Sequence, residues 1–175
     1  MRQLVVGVAD GGVSQDPDSM LVTYALGSCV AVMLHDPVAG VSGMVHYMLP
    51  ESSMSSEEST ARPWMFADTG ISYLLRATLE HGADKSRLVV CAAGGAQIMN
   101  DNSTFNIGKR NCLAFRKALW KWGLTARAEE IGGTLPRTVR MEVATGRVWL
   151  QSPGGEPREM NTRPQAAPRK LVQGE

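Results

Sequence analysis

Two apolar segments joined by a short polar turn constrain this chain more than any other feature. The first segment covers residues 29–34 (CVAVML) and the second covers residues 41–49 (VSGMVHYML). The six residues between them contain Asp-Pro near the start and Gly at the end. Asp, Pro and Gly each favour turns, whereas short apolar runs bounded by turn residues favour strands. The pattern therefore predicts a β-hairpin.

Further strands and two helices are predicted on either side of this hairpin. Short apolar runs bounded by turn residues predict strands over residues 4–8, 20–25 and 88–93, the first ending at Asp10-Gly11-Gly12. Three closing strands are predicted over residues 125–131, 137–143 and 147–150. Apolar residues at helical spacing predict one helix from Asp68, as N-cap, to His81, and a second after Asn106 that ends at Gly123. Because strands and helices do not alternate strictly, we expect one α/β domain over residues 1–151, with a mixed, largely antiparallel sheet.

Two polar segments lie outside this pattern. Residues 50–63 (PESSMSSEESTARP) contain five serines and are expected to form a long loop without regular structure, either functional or disordered. Residues 152–175 hold four of the nine prolines. This proline-rich tail is expected to be poorly ordered from about Asn161.

Charge and cysteine usage exclude several classes of protein. The chain has 18 basic and 17 acidic residues and no basic stripe, which argues against nucleic-acid binding. Its longest apolar runs have six residues, whereas a membrane span needs roughly 20, so membrane insertion is not expected. Cys29, Cys91 and Cys112 form no metal-ligand spacing, so we expect free thiols, a cytoplasmic location and no metal or cofactor. Cys91 and Cys112 are interpreted as packing residues, and His35 and His81 as solvated ones.

The predicted hairpin brings a thiol close to an imidazole. If the turn comprises Asp36 to Ala39, Cys29 lies directly opposite His46, and such cross-strand Cβ atoms are about 4.5–5.5 Å apart. The imidazole can then accept the thiol proton and generate a nucleophilic thiolate, while Thr23 can receive the other ring N–H. A one-residue slip would separate the pair. From spacing alone, ordinary core packing is the more common role for a cysteine and a histidine such as Cys29 and His46.

The residues around this pair form a long and specific set of motifs. Residues 23–50 read TYALGSCVAVMLHDPVAGVSGMVHYMLP, which contains T-x-x-L-G-S-C, then D-P, then G-x-x-H-x-M-L-P. Three further stretches follow in order: Phe66-Ala-Asp; Ala93-Gly-Gly-Ala with Asn106-Ile-Gly-Lys-Arg-Asn111; and Gly132-Gly133 with Arg137. Over residues 4–150 the chain thereby resembles the chemoreceptor glutamine deamidase family, CheD. One departure is Met99, where the family commonly has Phe.

The resemblance implies a layered α/β sandwich and a cysteine-dependent amidohydrolase. Such an enzyme converts specific glutamines of methyl-accepting chemotaxis receptors to glutamate through a thioester, with release of ammonia. By position, Cys29 is the nucleophile, His46 the general base and acid, and Thr23 the residue that orients His46. Backbone N–H groups around Gly27 and Ser28 are candidates for stabilising the oxyanion. A CheC-type phosphatase is a further implied partner in organisms that have one.

Two other interpretations remain open. The chain could be a receptor- or phosphatase-binding module without activity, although the presence of Thr23, Cys29 and His46 favours an enzyme. It could also be another thiol enzyme, a peptidase or a transglutaminase. Residues 52–62 are the candidate mobile loop that admits the glutamine side chain of the receptor, and Asn111 is expected to brace a helix start or border the substrate groove.

Overall fold

Two five-stranded sheets and two long helices form three layers in the computed structural model, which describes residues 1–97 and 106–161. The strands are β1 (Arg2–Val5), β2 (Asp10–Ser14), β3 (Ser19–Leu26), β4 (Val30–Asp36), β5 (Val41–Tyr47), β6 (Val89–Gly94), β7 (Ala126–Ile131), β8 (Arg137–Glu142), β9 (Val148–Gln151) and β10 (Arg158–Glu159). The helices are α1 (Ser56–Ala61), α2 (Ala67–Glu80) and α3 (Ile107–Trp122). The expected layered α/β fold is confirmed.

Both sheets are mixed and largely antiparallel, as predicted. The first sheet has the strand order β1-β3-β8-β9-β10, and the second has the order β2-β5-β4-β6-β7. Within the described residues, the parallel pairs are β1 with β3 and β6 with β7. The predicted hairpin therefore lies at the centre of the second sheet, with a neighbouring strand on each side.

The second sheet is the middle layer and is apolar on both faces. Every residue of β4 and β5 is buried. On one face, Ala31 and Met44 pack with Val139 of the first sheet. On the other face, Val45 packs with Phe115 of α3. Because successive side chains of a strand point to opposite faces, this double burial explains the continuous apolar runs in the sequence.

The hairpin is confirmed, but its register differs from the predicted one by two residues. Ala31, rather than Cys29, lies opposite His46. The reason is that Asp36 still belongs to β4 and accepts loop N–H groups with its carboxylate, so the connecting loop begins at Pro37. A shift of two residues leaves each side chain on its original face. Cys29 and His46 therefore share the face that packs against the first sheet.

Residues 10–14 form an edge strand where the sequence predicted the end of one. This strand, β2, pairs antiparallel with β5. A Cβ atom on Gly11 would overlap the indole ring of Trp64. The prediction of a turn was wrong because Gly11 serves a close approach between the strand and this ring rather than a change of chain direction.

The serine-rich segment is partly helical, so the prediction of a structureless loop is wrong. It contains a 3₁₀ turn (Ser52–Met54) and α1. Asp68, predicted as the N-cap of α2, lies inside the first turn, and Phe66 occupies the cap position. The Asp68 carboxylate instead accepts the backbone N–H of Ser52 at 2.9 Å and its hydroxyl at 2.6 Å. This contact fastens the segment to α2.

The expectation of a solvated His35 is also wrong. The residue is 4% exposed, and its Nδ1 lies 2.9 Å from the hydroxyl of Ser42. That hydroxyl donates to the carbonyl of Val143, so it accepts the hydrogen on Nδ1. The imidazole also lies against Gly146, in the turn between β8 and β9. His81 is exposed, as expected.

The packed part of the chain continues beyond Gln151. β10 pairs with β9, and Met160 is 2% exposed in the core between the two sheets. The remaining tail, residues 162–175, lies outside the described residues, as does Met99. The division of the chain at residue 151 therefore stays a prediction. Among the described helices, none has the length and apolar character needed to span a bilayer.

Candidate active site

A hydrogen bond between two buried polar side chains connects the two sheets. Thr23 of β3 and His46 of β5 are 0% and 2% exposed, and Thr23 Oγ1 lies 2.8 Å from His46 Nδ1. The same hydroxyl donates to the carbonyl of Val6 at 2.7 Å. Because a hydroxyl has one hydrogen, Thr23 must accept the second bond. The network thereby assigns the imidazole proton to Nδ1 and the lone pair to Nε2.

The other ring nitrogen of His46 is a buried acceptor without a partner. Among the described residues, none makes a hydrogen bond to Nε2. Burial lowers the pKa of His46 to about 4, so the ring is neutral at pH 7. Buried polar atoms are nearly always paired, and an exception calls for an explanation. A neutral, oriented imidazole with an open lone pair is what a general base requires.

Cys29 lies on the same face of the second sheet as His46. It is partly exposed and packs against the core between the sheets. It precedes Ala31, the cross-strand neighbour of His46, by two residues, and is therefore diagonal to His46. Burial raises the pKa of the Cys29 thiol, opposed by its own backbone N–H. The resting pair is a neutral thiol and a neutral imidazole.

The structure thus joins two of the three predicted side chains directly. Thr23 and His46 are hydrogen-bonded, whereas Cys29 shares their face but makes no hydrogen bond to His46 Nε2. Transfer of the thiol proton to Nε2 would generate a thiolate beside an imidazolium. Within residues 1–97 and 106–161, no cluster of three or more His, Cys, Asp or Glu side chains could hold a metal ion.

The backbone just before β4 is held by three hydrogen bonds in succession. Backbone N–H groups of residues 95–96 donate to the carbonyls of Cys29 and Gly27 at 2.7 and 2.8 Å. The side chain of Asn111 donates to the carbonyl of Ser28, which lies between them, at 2.9 Å. The candidate oxyanion donors therefore belong to a rigid segment.

This chain is similar to proteins of one known family over most of its length. The profile of one family, described as CheD chemotactic sensory transduction, matches residues 48–152. A probable chemoreceptor glutamine deamidase CheD of Solibacter usitatus is 47% identical over 165 residues, which cover 94% of this chain and 98% of that protein. This chain belongs to the CheD family.

Two further CheD proteins support the assignment. A probable chemoreceptor glutamine deamidase CheD 1 of Syntrophus aciditrophicus is 44% identical and covers 91% of this chain and 100% of its own length. The chemoreceptor glutamine deamidase CheD of Thermotoga maritima is 38% identical, covering 86% and 92%. The family profile begins after His46. The match to the Solibacter protein is longer, and the few residues that it leaves unaligned are too few to include Thr23, Cys29 or His46.

Acid should destabilise this CheD protein through His46. The unfolded chain takes up a proton on this residue near pH 6.5, whereas the folded protein does so near pH 4. The free energy of unfolding contributed by this difference is fully present above pH 6.5 and falls by about 3 kcal/mol as the pH drops to 4. Denaturant unfolding at several pH values gives the slope of the free energy of unfolding against pH. This slope should be shallower for His46→Gln than for the wild type, and unchanged for the exposed-site control His81→Gln. Equal slopes for wild type and His46→Gln would contradict it.

Proposed function

We propose that this chain is a cysteine-dependent protein-glutamine deamidase. It hydrolyses the side-chain carboxamide of specific glutamines on the cytoplasmic helices of methyl-accepting chemotaxis receptors. The observation that carries the proposal is the neutral His46 ring, hydrogen-bonded to Thr23 and with Nε2 open, on the face that also carries Cys29. The CheD relatives are named as chemoreceptor glutamine deamidases, which supports the same chemistry and the same class of substrate.

The first half of the reaction forms a thioester. His46 Nε2 accepts the thiol proton, and Cys29 Sγ bonds to the carboxamide carbon while the carbonyl π electrons move to oxygen. Backbone N–H groups around Gly27 and Ser28 stabilise the resulting oxyanion. When the tetrahedral species collapses, the C–N bond breaks and His46 returns its proton to the departing nitrogen, which leaves as ammonia.

The second half regenerates the thiol. Water gives a proton to His46 Nε2 and bonds to the thioester carbon, forming a second oxyanion. The C–S bond then breaks, Cys29 recovers the proton from His46, and glutamate is released. Thr23 acts throughout as a positioning residue, because its hydroxyl holds the Nδ1–H side of the ring and directs Nε2 toward the reacting atoms.

The proposed partners follow from this substrate. The protein acts in the cytoplasm on receptor helices, and a CheC-type phosphatase is a regulatory partner in organisms that have one. The segment over residues 52–62 is proposed to border the entrance for the receptor side chain. Because the Asp68 carboxylate accepts hydrogen bonds from Ser52, an opening that moves Ser52 must first break them.

Mass spectrometry of a receptor cytoplasmic fragment tests the function. Incubation with the purified protein should convert specific glutamines to glutamate, with one ammonia released for each site and no incorporation of an added primary amine. Binding without conversion would favour the non-catalytic module. An amine-linked product would identify a transglutaminase, and a cleaved chain would identify a peptidase; each of these three outcomes overturns the proposal.

A further inference from the structure

One buried amide connects the two segments that carry Cys29 and His46. Asn111, in the second turn of α3, is 0% exposed. Its Nδ2 donates to the carbonyl of Ser28 at 2.9 Å and to the carbonyl of Met48 at 3.0 Å. Ser28 immediately precedes Cys29, and Met48 follows His46 by two residues. Both hydrogens of a single side-chain amide are thus used at the two ends of the proposed site.

The contact with Ser28 determines which way the next N–H points. In a planar trans peptide, the carbonyl of one residue and the N–H of the following residue point in opposite directions. Asn111 draws the carbonyl of Ser28 toward α3, so the N–H of Cys29 points away from the helix. That N–H faces the sulfur of its own residue, where it favours the thiolate. The same reasoning turns the N–H of Ser28 away from Ala96, which holds the carbonyl of Gly27.

These two N–H groups remain available for a ligand. Within the described residues, the N–H of Ser28 donates to no protein acceptor, and the N–H of Cys29 donates to none besides the sulfur of its own residue. Two adjacent donors that no oxygen atom of the protein occupies, next to a nucleophile, are the arrangement that stabilises a tetrahedral oxyanion. The carbonyls of the same two peptides, those of Gly27 and Ser28, both accept hydrogen bonds. A peptide flip in this segment would therefore break a hydrogen bond.

Asn111 itself is incompletely satisfied. Its Oδ1 is buried and has no partner among the described residues. A buried acceptor without a partner is unfavourable for stability, so packing alone does not account for an amide at this position. What the amide provides is its pair of donors to Ser28 and Met48.

Glycines allow α3 to come close enough for this contact. A Cβ on Gly108 would lie 2.7 Å from the carbonyl oxygen of Ala96, and a Cβ on Gly95 would overlap the sulfur of Cys112. The first turn of α3 therefore packs directly on the backbone that follows β6. This close packing places Asn111 within reach of the segment before β4.

We propose that Asn111 is a positioning residue that orients the N–H groups of Ser28 and Cys29 as the oxyanion hole. The inference rests on the proposed deamidase function and assigns the donors within it. Asn111 touches no reacting atom and acts only through the direction of these two N–H groups, which bears on the oxyanion and, through the N–H of Cys29, on the thiol.

Two reagents that modify the same thiol separate these effects. Iodoacetamide alkylates Cys29 by direct displacement of iodide, without an oxyanion. With p-nitrophenyl acetate, Cys29 sulfur bonds to the carbonyl carbon, the carbonyl oxygen becomes an oxyanion, and the C–O bond breaks as p-nitrophenolate leaves with the electron pair. The thiol proton passes to His46 and then to solvent. The ratio of acylation rate to alkylation rate, measured on the Cys29 peptide, reports oxyanion stabilisation alone.

Asn111→Leu, which keeps the branched shape of the side chain and removes both donors, should lower this ratio about 10- to 100-fold. It should lower kcat for the receptor fragment by a similar factor and leave KM unchanged. Tyr47→Phe is the matched control, because the Tyr47 hydroxyl also connects the hairpin to α3, donating to the backbone carbonyl of Asn111 at 2.8 Å. The control should retain the wild-type ratio. Asn111→Ala serves as a second variant if the leucine side chain prevents folding.

The outcomes distinguish this inference from the function on which it rests. A folded Asn111 variant with a wild-type ratio overturns the inference, and so does an equal fall in the ratio for Tyr47→Phe, which would indicate a purely structural role. If the wild-type protein converts no receptor glutamine, the proposed function fails, but the ratio still decides whether Asn111 orients the oxyanion donors.

Discussion

Replacing Cys29 by alanine is expected to abolish conversion of receptor glutamines, with a loss in kcat of at least about 10⁴-fold. The reason is chemical: the variant has no sulfur to form the thioester, and His46 alone must then activate water against an unactivated carboxamide. Binding of the receptor fragment should persist, because alanine is smaller than cysteine and the surrounding backbone is held by its own hydrogen bonds. Peptide mass spectrometry and a binding measurement on the same fragment check both expectations.

Cys91 is the appropriate control for this variant. It is a buried thiol in β6, and burial raises its pKa to about 11. It packs in the core between the two sheets, on the strand that pairs with β4. Cys91→Ala should retain conversion of receptor glutamines in any preparation that folds. Conversion by Cys29→Ala, or its loss in folded Cys91→Ala, would contradict Cys29 as the nucleophile.

The placement of Cys29 and His46 on one face could be predicted because the face of a side chain depends only on whether the register is shifted by an odd or an even number of residues. The predicted register was wrong by two residues, since Asp36 extends β4 and moves the loop. A period of two makes side-chain direction insensitive to such a shift. The thiol and the imidazole therefore share a face in both registers, although Ala31 now occupies the position directly opposite His46.

Contacts between distant segments could not be predicted from local patterns. Asn111 and Ser28 are 83 residues apart in sequence, and neither helical spacing nor turn chemistry links them. The burial of His35 has the same origin, because the turn between β8 and β9 lies against its ring. Periodicity identifies elements, whereas these contacts depend on how the layers are stacked.

The roles of two glycines show again that local patterns do not predict tertiary contacts. Gly123 ends α3 in the left-handed region, with φ of 62°, and the sequence predicted this end correctly. Gly11 lies within a strand and is required by the ring of Trp64. The two cases look alike in sequence, because the neighbour that requires the second glycine is supplied by tertiary packing.

Replacing Thr23 by valine is expected to lower kcat about 10³-fold through the orientation of His46. Valine has nearly the shape of threonine, so the contact between the sheets is preserved while the hydroxyl is lost. His46 Nδ1–H would then face a methyl group, and the ring would lose the bond that selects its tautomer and aims Nε2. Thr23→Ser retains the hydroxyl and should recover most of the activity.

A second buried threonine separates this effect from a general loss of stability. Thr78 of α2 is 0% exposed and donates its hydroxyl to the backbone carbonyl of Leu74 at 2.7 Å. Thr78→Val therefore removes a buried hydroxyl of the same type without touching His46. We expect Thr78→Val to destabilise the protein yet keep the wild-type kcat. Thr23→Val should have a lower kcat even in a fully folded preparation. A wild-type kcat for both valine variants would show that His46 needs no orienting hydroxyl, and the proposed role of Thr23 would have to be abandoned.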